Sequence, residues 1–366
     1  MIGFYIELAI ILLGFAAAIL LFYRIPRLPQ AQGARNTQRV SVVIPARNEE
    51  STLPLLLADL AKQALAPFEI LVVNDASEDA TEQVARDCGA KVLTLNGKPD
   101  GWVGKSWACQ KGAESADGEL IVFLDADVRL SPDGLGRIVE AYRSANQTIS
   151  VQPYHQTQKG YEQFSLLFNL IQVGANGTAL PRPVPLGLFG PIIAISRADY
   201  FTAGGHESVK ASIVEDMALA CELRRANIPF RVFVGDRDVS FRMYPAGFRS
   251  LWQGFSKNLA TGASKIPAWL ILLVTLFVAS VASVPLHLLL AGFRGEPVVL
   301  VYALLYGFWV LALFLIGRRI GRYSPAALLL YPVPLTIFLL VSLYSGYLRL
   351  FRRNVRWKGR AIPLER

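Results

Sequence analysis

Four stretches of this 366-residue chain are apolar over lengths that suit a bilayer: Gly3 to Tyr23 at the start, then Pro267 to Ala291, Pro297 to Gly317 and Pro325 to Leu348. A helix needs roughly 20 such residues to cross about 30 Å of hydrocarbon. The overall hydrophobic content of 53% is high because of these stretches, and the region between the first and the second is ordinary soluble sequence. The first stretch lacks a basic segment before it and carries Glu7. Arg24, Pro26, Arg27 and Pro29 follow where a signal peptide would have small residues, so a retained anchor is expected. The net charge of +9 is largely local. Arg24, Arg27, Arg35 and Arg39 follow the first anchor; Arg318, Arg319 and Arg322 separate two late ones; Arg349, Arg352, Arg353, Arg356, Lys358 and Arg360 fill the tail. Such flanks mark a cytoplasmic face and attract anionic phospholipids. They are not interleaved with aromatics along a soluble surface, so no nucleic acid partner is expected. Cys88, Cys109 and Cys221, like His155, His206 and His287, are too scattered for a thiolate or zinc site. The chemistry is left to carboxylates.

The soluble region alternates strand and helix. Val40 to Pro45 reads as a buried parallel strand ended by its proline, and Phe68 to Val73 as a second that runs into Asn74-Asp75-Ala76-Ser77. Lys91 to Leu95 makes a third, and Leu120 to Leu124 a central one. Helices are expected from Ser51 to Leu65, Thr81 to Cys88 and Ser106 to Ala116, which gives an open α/β sheet. Phe189 to Ser196 reads as a strand returning to that sheet, and Tyr161 to Val173 as either a core helix or one at the membrane face. Ligands of such sheets gather beyond the carboxyl ends of the strands. Those ends carry Pro45-Ala46-Arg47-Asn48, Asp75 and Asp125-Ala126-Asp127. No glycine-rich dinucleotide fingerprint or ATPase phosphate loop follows the first strand, which disfavours NAD, FAD and ATP.

Asp125 and Asp127 are two apart, and on an extended backbone such side chains point the same way. Together they suit a hard cation on diphosphate oxygens, Mg²⁺ or Mn²⁺; the same residues also suit a strand that merely ends in a polar turn. Lys105, in Gly101-Trp102-Val103-Gly104-Lys105, fits a phosphate contact as well as it fits an irregular loop around a packed tryptophan. Glu215 and Asp216 open a helix, a place where the helix dipole favours acids even without chemistry. Phe241 to Tyr244 and Gly247 to Asn258 are basic and aromatic, as an interfacial element should be.

Taken in order, Ser41 to Glu49, Asn74 to Ser77, Asp125-Ala126-Asp127 and Glu215-Asp216 resemble the family 2 glycosyltransferases across roughly residues 40 to 260. With Gly101 to Cys109 and Phe241-Arg242-Met243-Tyr244, the pattern is most similar to the membrane-bound carotenoid-acid glycosyltransferases of the diaponeurosporenoate type. Ceramide and hopanoid glycosyltransferases are a more distant likeness. The resemblance implies a GT-A nucleotide-sugar domain of Rossmann-like α/β class, flanked by transmembrane helices, and inverting transfer from a UDP-sugar. It implies that Asp75 holds the uridine, with Pro45, Ala46 and Glu49 lining its pocket. Asp127 would reach the metal, Asp125 the sugar or ribose, and Asp216, beside Glu215, would be the catalytic base. One departure stands out. Polymerising and ceramide-type members carry Gln or Arg, two residues, then Arg-Trp, whereas Phe248 to Trp252 keeps only the tryptophan. Arg242, Arg249, Trp252 and Lys257 remain candidates for diphosphate or headgroup contacts.

These readings divide the chain into an anchor (1–24), a linker (25–39), a catalytic domain (40–240), an interfacial region (241–266), a membrane region (267–348) and a basic tail (349–366). The expected activity is transfer of glucose from a UDP-sugar to a membrane lipid acceptor such as a carotenoid acid. A polyprenyl phosphate, a sterol or hopanoid, or a ceramide is the alternative acceptor, and a non-enzymatic scaffold would have no use for these carboxylates. Cytosolic UDP-sugars and the positive-inside rule put the domain in the cytoplasm. The tail's charge asks for the same side. Tyr331-Pro332-Val333-Pro334 is therefore expected to break the last apolar segment and turn it back.

Overall fold

The computed structural model describes residues 2–31, 38–262, 266–352, 354–357 and 360–363. Arg35, Arg353 and Lys358 lie outside the described residues. By chain contacts the protein divides into two units, one built from 1–25, 157–184 and 244–355, the other from 26–156, 185–243 and 356–366.

After helix α1 (Ile2–Leu21) of the first unit, the second unit opens with β1 (Val40–Ala46), α2 (Leu53–Leu60), β2 (Glu69–Asp75), α3 (Thr81–Asp87), β3 (Lys91–Leu95), α4 (Gly104–Ser115) and β4 (Leu120–Leu124). It continues with β5 (Val128–Leu130), α5 (Gly134–Ala145), β6 (Thr148–Gln152) and β7 (Tyr154–His155). The four expected strands are parallel neighbours in the order β3-β2-β1-β4. Pro45 does not end β1, which runs on to Ala46 against β2, whereas pairing with β4 stops at Val43. The lost amide of Pro45 therefore falls where one side of the strand is already unpaired. Likewise β2 extends through Asn74 to Asp75, which delivers Asp75 from a strand end.

In the first unit α6 (Leu166–Asn176) follows a short 3-10 turn over Gly160–Ser165. The chain then returns to the sheet as β8 (Ile192–Ser196), antiparallel to β4, and α7 (Arg197–Thr202), α8 (Glu215–Arg225), β9 (Phe230–Val234) and β10 (Val239–Phe241) complete the domain. The full order is β3-β2-β1-β4-β8-β6-β9, with β5, β10 and β7 in a second, three-stranded sheet. Central strand β4 is buried along its whole length. Leu120, Val122 and Leu124 face one apolar core and Ile121 and Phe123 the other, as the two-residue period requires.

The rest of the first unit comprises α9 (Phe248–Gly262), α10 (Ala268–Arg294), α11 (Val299–Ile320), α12 (Pro325–Leu329) and α13 (Pro332–Tyr347). Helix α1 packs on α10 with almost no space between backbones: a Cβ at Gly14 would lie 2.1 Å from that of Ser280. Ser280 Oγ donates to the Ile11 carbonyl at 3.0 Å and accepts from Trp309 Nε1 at 3.1 Å, while Phe15 stacks on Trp309. Where lipid is as apolar as leucine, close small-residue packing and such bonds hold helices together. Four helical stretches, Phe4–Leu21, Ala268–Arg294, Val299–Ile320 and Pro332–Phe351, are long and apolar enough to cross a membrane. The last apolar segment does break, at Leu330 and Tyr331. The break falls just ahead of Pro332, which has no amide to continue α12; Pro332 and Pro334 then sit in the first turn of α13, where a missing amide leaves no helical bond unmade.

Candidate active site

Three loops meet at the carboxyl edge of the parallel strands. The loop after β1 is tied to the loop after β2: Arg47 Nη1 donates to the carbonyls of Asp75 (2.9 Å) and Ala76 (2.8 Å), and Arg47 Nη2 reaches Glu78 at 3.1 Å. Asn48 N donates to Ser77 Oγ at 3.0 Å, and Glu78 N returns a bond to Asn48 Oδ1 at 2.9 Å. Asn48 and Ala76 both take positive φ, 52° and 49°, which makes the turns tight enough for this stitching. Pro45, Ala46, Glu49 and Asp75 thus lie at one end of the parallel strands, with Ala46 packed into one apolar core and Asp75 only 4% exposed. Glu49 is anchored by its amide to Thr81 Oγ1 at 2.8 Å, and its carboxylate accepts from Thr52.

The second cluster centres on Lys105, from the first turn of α4. Its Nζ lies 2.8 Å from Asp125 Oδ1, 3.1 Å from Glu215 Oε1 and 3.4 Å from the Gly190 carbonyl. The structure therefore pairs Lys105 with two carboxylates from different parts of the chain. Asp125 N donates to the Pro191 carbonyl at 2.9 Å, which locks the end of β4 to the start of β8. Asp125 and Asp127 do not lie on an extended strand as the sequence suggested: residues 125–127 form the turn between β4 and β5. Arg242 is brought to that turn, its amide donating to the Asp127 carbonyl at 3.3 Å, because β10 pairs antiparallel with β5. Arg249, Trp252 and Lys257 lie on α9 in the other unit, where Trp252 packs on Phe248 and Tyr344.

Glu215 and Asp216 occupy the first turn of α8. Asp216 accepts from the amides of Gly190 (Oδ2, 2.9 Å) and Met217 (Oδ1, 2.8 Å), so both of its oxygens are positioned. Asp125 and Glu215 pair with one ammonium and Asp216 stands beside Glu215, and the charges answer accordingly. Burial, then the neighbouring Glu215 carboxylate, pushes Asp216 up to about 6. Burial also raises Asp125 despite Lys105. For Lys105, burial disfavours the charge, but Asp125 and Glu215 overcome it and hold the ammonium well above its usual range. The side chains of Lys105 and Asp125 keep 31% and 29% of their surface open, so this is a shielded cleft rather than a sealed core. A carboxyl poised near 6 suits proton transfer at neutral pH.

Sequence reasoning missed Gly190, whose amide holds Asp216 and whose carbonyl meets Lys105. A Cβ there would stand 3.2 Å from both Asp216 Oδ2 and Lys105 Nζ, so any side chain at this position would crowd both charged groups. The signal was the Gly190-Pro191 pair just ahead of a strand. It missed also the layer behind. Tyr200 Oη lies 2.8 Å from His206 Nδ1 and donates to Gln110 Oε1 at 3.0 Å, and burial drives His206 down to about 4, leaving a neutral imidazole.

Residues 41–197 match Glycosyl transferase family 2. Over 337 residues the chain is 35% identical to the 4,4'-diaponeurosporenoate glycosyltransferase of Staphylococcus haemolyticus (strain JCSC1435), covering 90% of each protein. It is 33% identical over 365 residues to the protein of that name from Staphylococcus aureus (strain USA300), covering 98% of this chain and 97% of the relative. Among solved structures it is similar to a mannosyltransferase, PcManGT, from Pyrobaculum calidifontis in complex with GDP-Man and Mn²⁺. The TM-score is 0.55 at 18% identity, over 95% of this chain and 99% of that one, a likeness of fold.

Proposed function

The chain belongs to glycosyltransferase family 2 and carries its activity class on a GT-A fold with apolar, membrane-length helices, and from that premise we propose inverting transfer of glucose from UDP-glucose to a lipid-borne carboxyl or hydroxyl, a carotenoid acid first among them. The acceptor class follows the name carried by the relatives that align over nearly the full chain. The observation that carries the reaction is the Asp125–Lys105–Glu215 ion cluster with Asp216 held by two amides beside it. The stitched loops of Arg47 to Glu49 and Asn74 to Glu78 form a preorganised wall for the nucleoside, with Pro45, Ala46 and Asp75 at its base.

Among the described residues no three His, Cys, Asp or Glu side chains converge as a metal cage. Asp125 and Asp127, two carboxylates of one turn, suit Mg²⁺ or Mn²⁺, which bind through one or two carboxylates and complete their shell with phosphate oxygens. Asp127, with Asp125, would hold the ion, whose contribution when bound is to neutralise charge on the departing diphosphate. Lys105 supplies a fixed positive charge next to that position, and Arg242 adjoins the same turn. Asp216 takes the proton of a hydroxyl acceptor; a carboxylate acceptor has no proton to give, and Asp216 then orients it only in its own protonated form, as a donor. Glu215, tied to Lys105, keeps that ammonium in place.

The domain faces the cytoplasm in this reading, and anionic phospholipids meet the basic flanks. Arg24 ends the α1 region; Arg318 and Arg319 end α11. Arg322 follows, its carbonyl accepting from Thr157 beside the 3-10 turn. A turned-back last segment is supported from inside the first unit. Ser324 N bonds Gln163 at the α11 carboxyl end, Tyr331 stacks on Tyr306 two turns into α11, and α13 then runs back along α6 and α9 through Phe338–Phe168 and Ser345–Ser256. Protein in detergent, offered several UDP-sugars and a total lipid extract, tests the function: a mass increment of one hexose on a carotenoid acid is expected. A hexosylated polyprenyl phosphate, sterol, hopanoid or ceramide instead would overturn the acceptor. In sealed, right-side-out cells with Cys88 replaced by serine, a cysteine at position 359 should resist an impermeant thiol reagent.

A further inference from the structure

Glu7, the acid in the first anchor, is not at the catalytic edge but inside the helical unit, between α1, α10 and α11. Its Oε1 accepts from His287 Nδ1 at 2.7 Å and Ser283 Oγ at 3.0 Å, and its Oε2 from Tyr302 Oη at 2.9 Å. Three donors satisfy the carboxylate, and a pure brace would need no more. Yet the cluster forms the floor of a cavity of about 450 Å³, opening where the first turns of α1 and α11 meet the last turns of α10. Two features of that cavity exceed a brace.

The first is His287. Its Nδ1 faces two acceptors, the Glu7 carboxylate at 2.7 Å and the Ser283 carbonyl at 3.0 Å, so in the neutral ring the proton sits on Nδ1 and Nε2 is the acceptor; the side chain keeps 35% of its surface open. The second is the wall. Phe4 and Tyr302 stand edge to face at 6.3 Å, and Arg294 and Glu296, 3.7 Å apart, form the rim. Aromatic faces, an imidazole lone pair and a carboxylate on one side of the opening suit a cation with N–H donors. A guanidinium beside them suits the phosphate that such a cation carries in a headgroup. We propose that this cavity, framed by Glu7, His287, Tyr302, Arg294 and Glu296, binds a phosphoethanolamine group, its ammonium on His287 Nε2 and Glu296 and its phosphate on Arg294. Phosphatidylcholine lacks the N–H donors, and phosphatidylglycerol lacks the cation. An intramembrane acid near a helix end then holds in place the imidazole that meets the headgroup.

The full chain in detergent, given equal amounts of phosphatidylethanolamine, phosphatidylcholine and phosphatidylglycerol with identical acyl chains, is examined by native mass spectrometry. Phosphatidylethanolamine should be retained about tenfold over the others, the scale of one charged hydrogen bond. Glu296→Gln and Arg294→Gln, which touch no helix contact of Glu7, should each bring retention down to the phosphatidylcholine level with no change in melting temperature. Competition by millimolar soluble phosphoethanolamine would mark the free headgroup as sufficient; lack of competition would assign the site to the lipid. Equal retention of all three lipids, or a preference untouched by both variants, would overturn the proposal and leave Glu7 a brace.

Discussion

Two acid clusters in this molecule are built on opposite terms. At the sheet edge Asp125 and Glu215 both pair with the ammonium of Lys105, and burial together with the neighbouring Glu215 carboxylate lifts Asp216 to about 6. Among the helices one carboxylate, Glu7, receives three hydrogen bonds. An over-acidic cleft is unstable by itself and gains from a cation, a proton or a polyphosphate with its metal. A satisfied carboxylate mostly holds its own helices in register, and its neighbours, not the acid, face outward. The difference shows why burial of a charge alone does not mark chemistry: the imbalance around it does.

The largest effect tests the incomplete side of that contrast. Asp127→Asn should abolish turnover, with a loss of at least about 10³-fold of the kind a lost electrostatic contact produces, while the melting temperature holds. Full turnover in excess chelator would remove the metal from the scheme. Next comes Lys105→Met, which leaves the carboxylates without their cation. Turnover should fall about 10²-fold to 10³-fold and stability by about 3 kcal/mol, the low end for a broken ion pair because the cleft is partly open. Adding Glu215→Gln should recover part of that stability but not the turnover. If it recovers none, the charge imbalance is not what destabilises the single variant.

Asp216→Asn should cut turnover by about 10²-fold on a hydroxyl acceptor and leave donor affinity within a few fold. Since the folded carboxyl titrates near 6, above its usual value, the wild-type rate should fall as pH drops below about 6, and the variant should lose that limb. Stability carries the opposite sign. The folded state binds this proton more tightly than the unfolded chain, so Asp216 costs stability as pH rises from its ordinary carboxylate range through 6. The variant's melting temperature at pH 7 should therefore not fall below wild type. The smallest catalytic effect belongs to the balanced cluster. Glu7→Gln should keep turnover within about twofold and lower stability by about 1–2 kcal/mol, the worth of charge-assisted bonds weakened to neutral ones. A large loss of turnover there would join the two clusters functionally and break the contrast.

The fold was legible where local pattern is strong. The apolar runs at Val40 to Ile44 and Leu120 to Leu124 read as buried strands, and the long apolar stretches as membrane-length helices. Asp75, Asp125 and Glu215-Asp216 were visible because acids at strand and helix ends follow hydrophobic runs. What failed was fine geometry. The extended-strand argument for Asp125 and Asp127 ignored that a strand end is where the backbone turns. Lys105 could not be assigned, because its partner Glu215 stands 110 residues later in the sequence.

Sequence alone thus determined the parallel half of the sheet, the anchors, the family likeness and the residue types of the site, since each rests on periodicity or on order along the chain. Only the tertiary structure decided that β8 returns antiparallel beside β4, so that Gly190 and Pro191 hold Asp216 and Asp125 through their backbone. It alone paired Lys105 with two acids and closed Glu7 with His287 and Tyr302. Those contacts join residues whose separation is set by packing of distant elements, and no local pattern encodes the distance between two groups that meet only after the cores have formed.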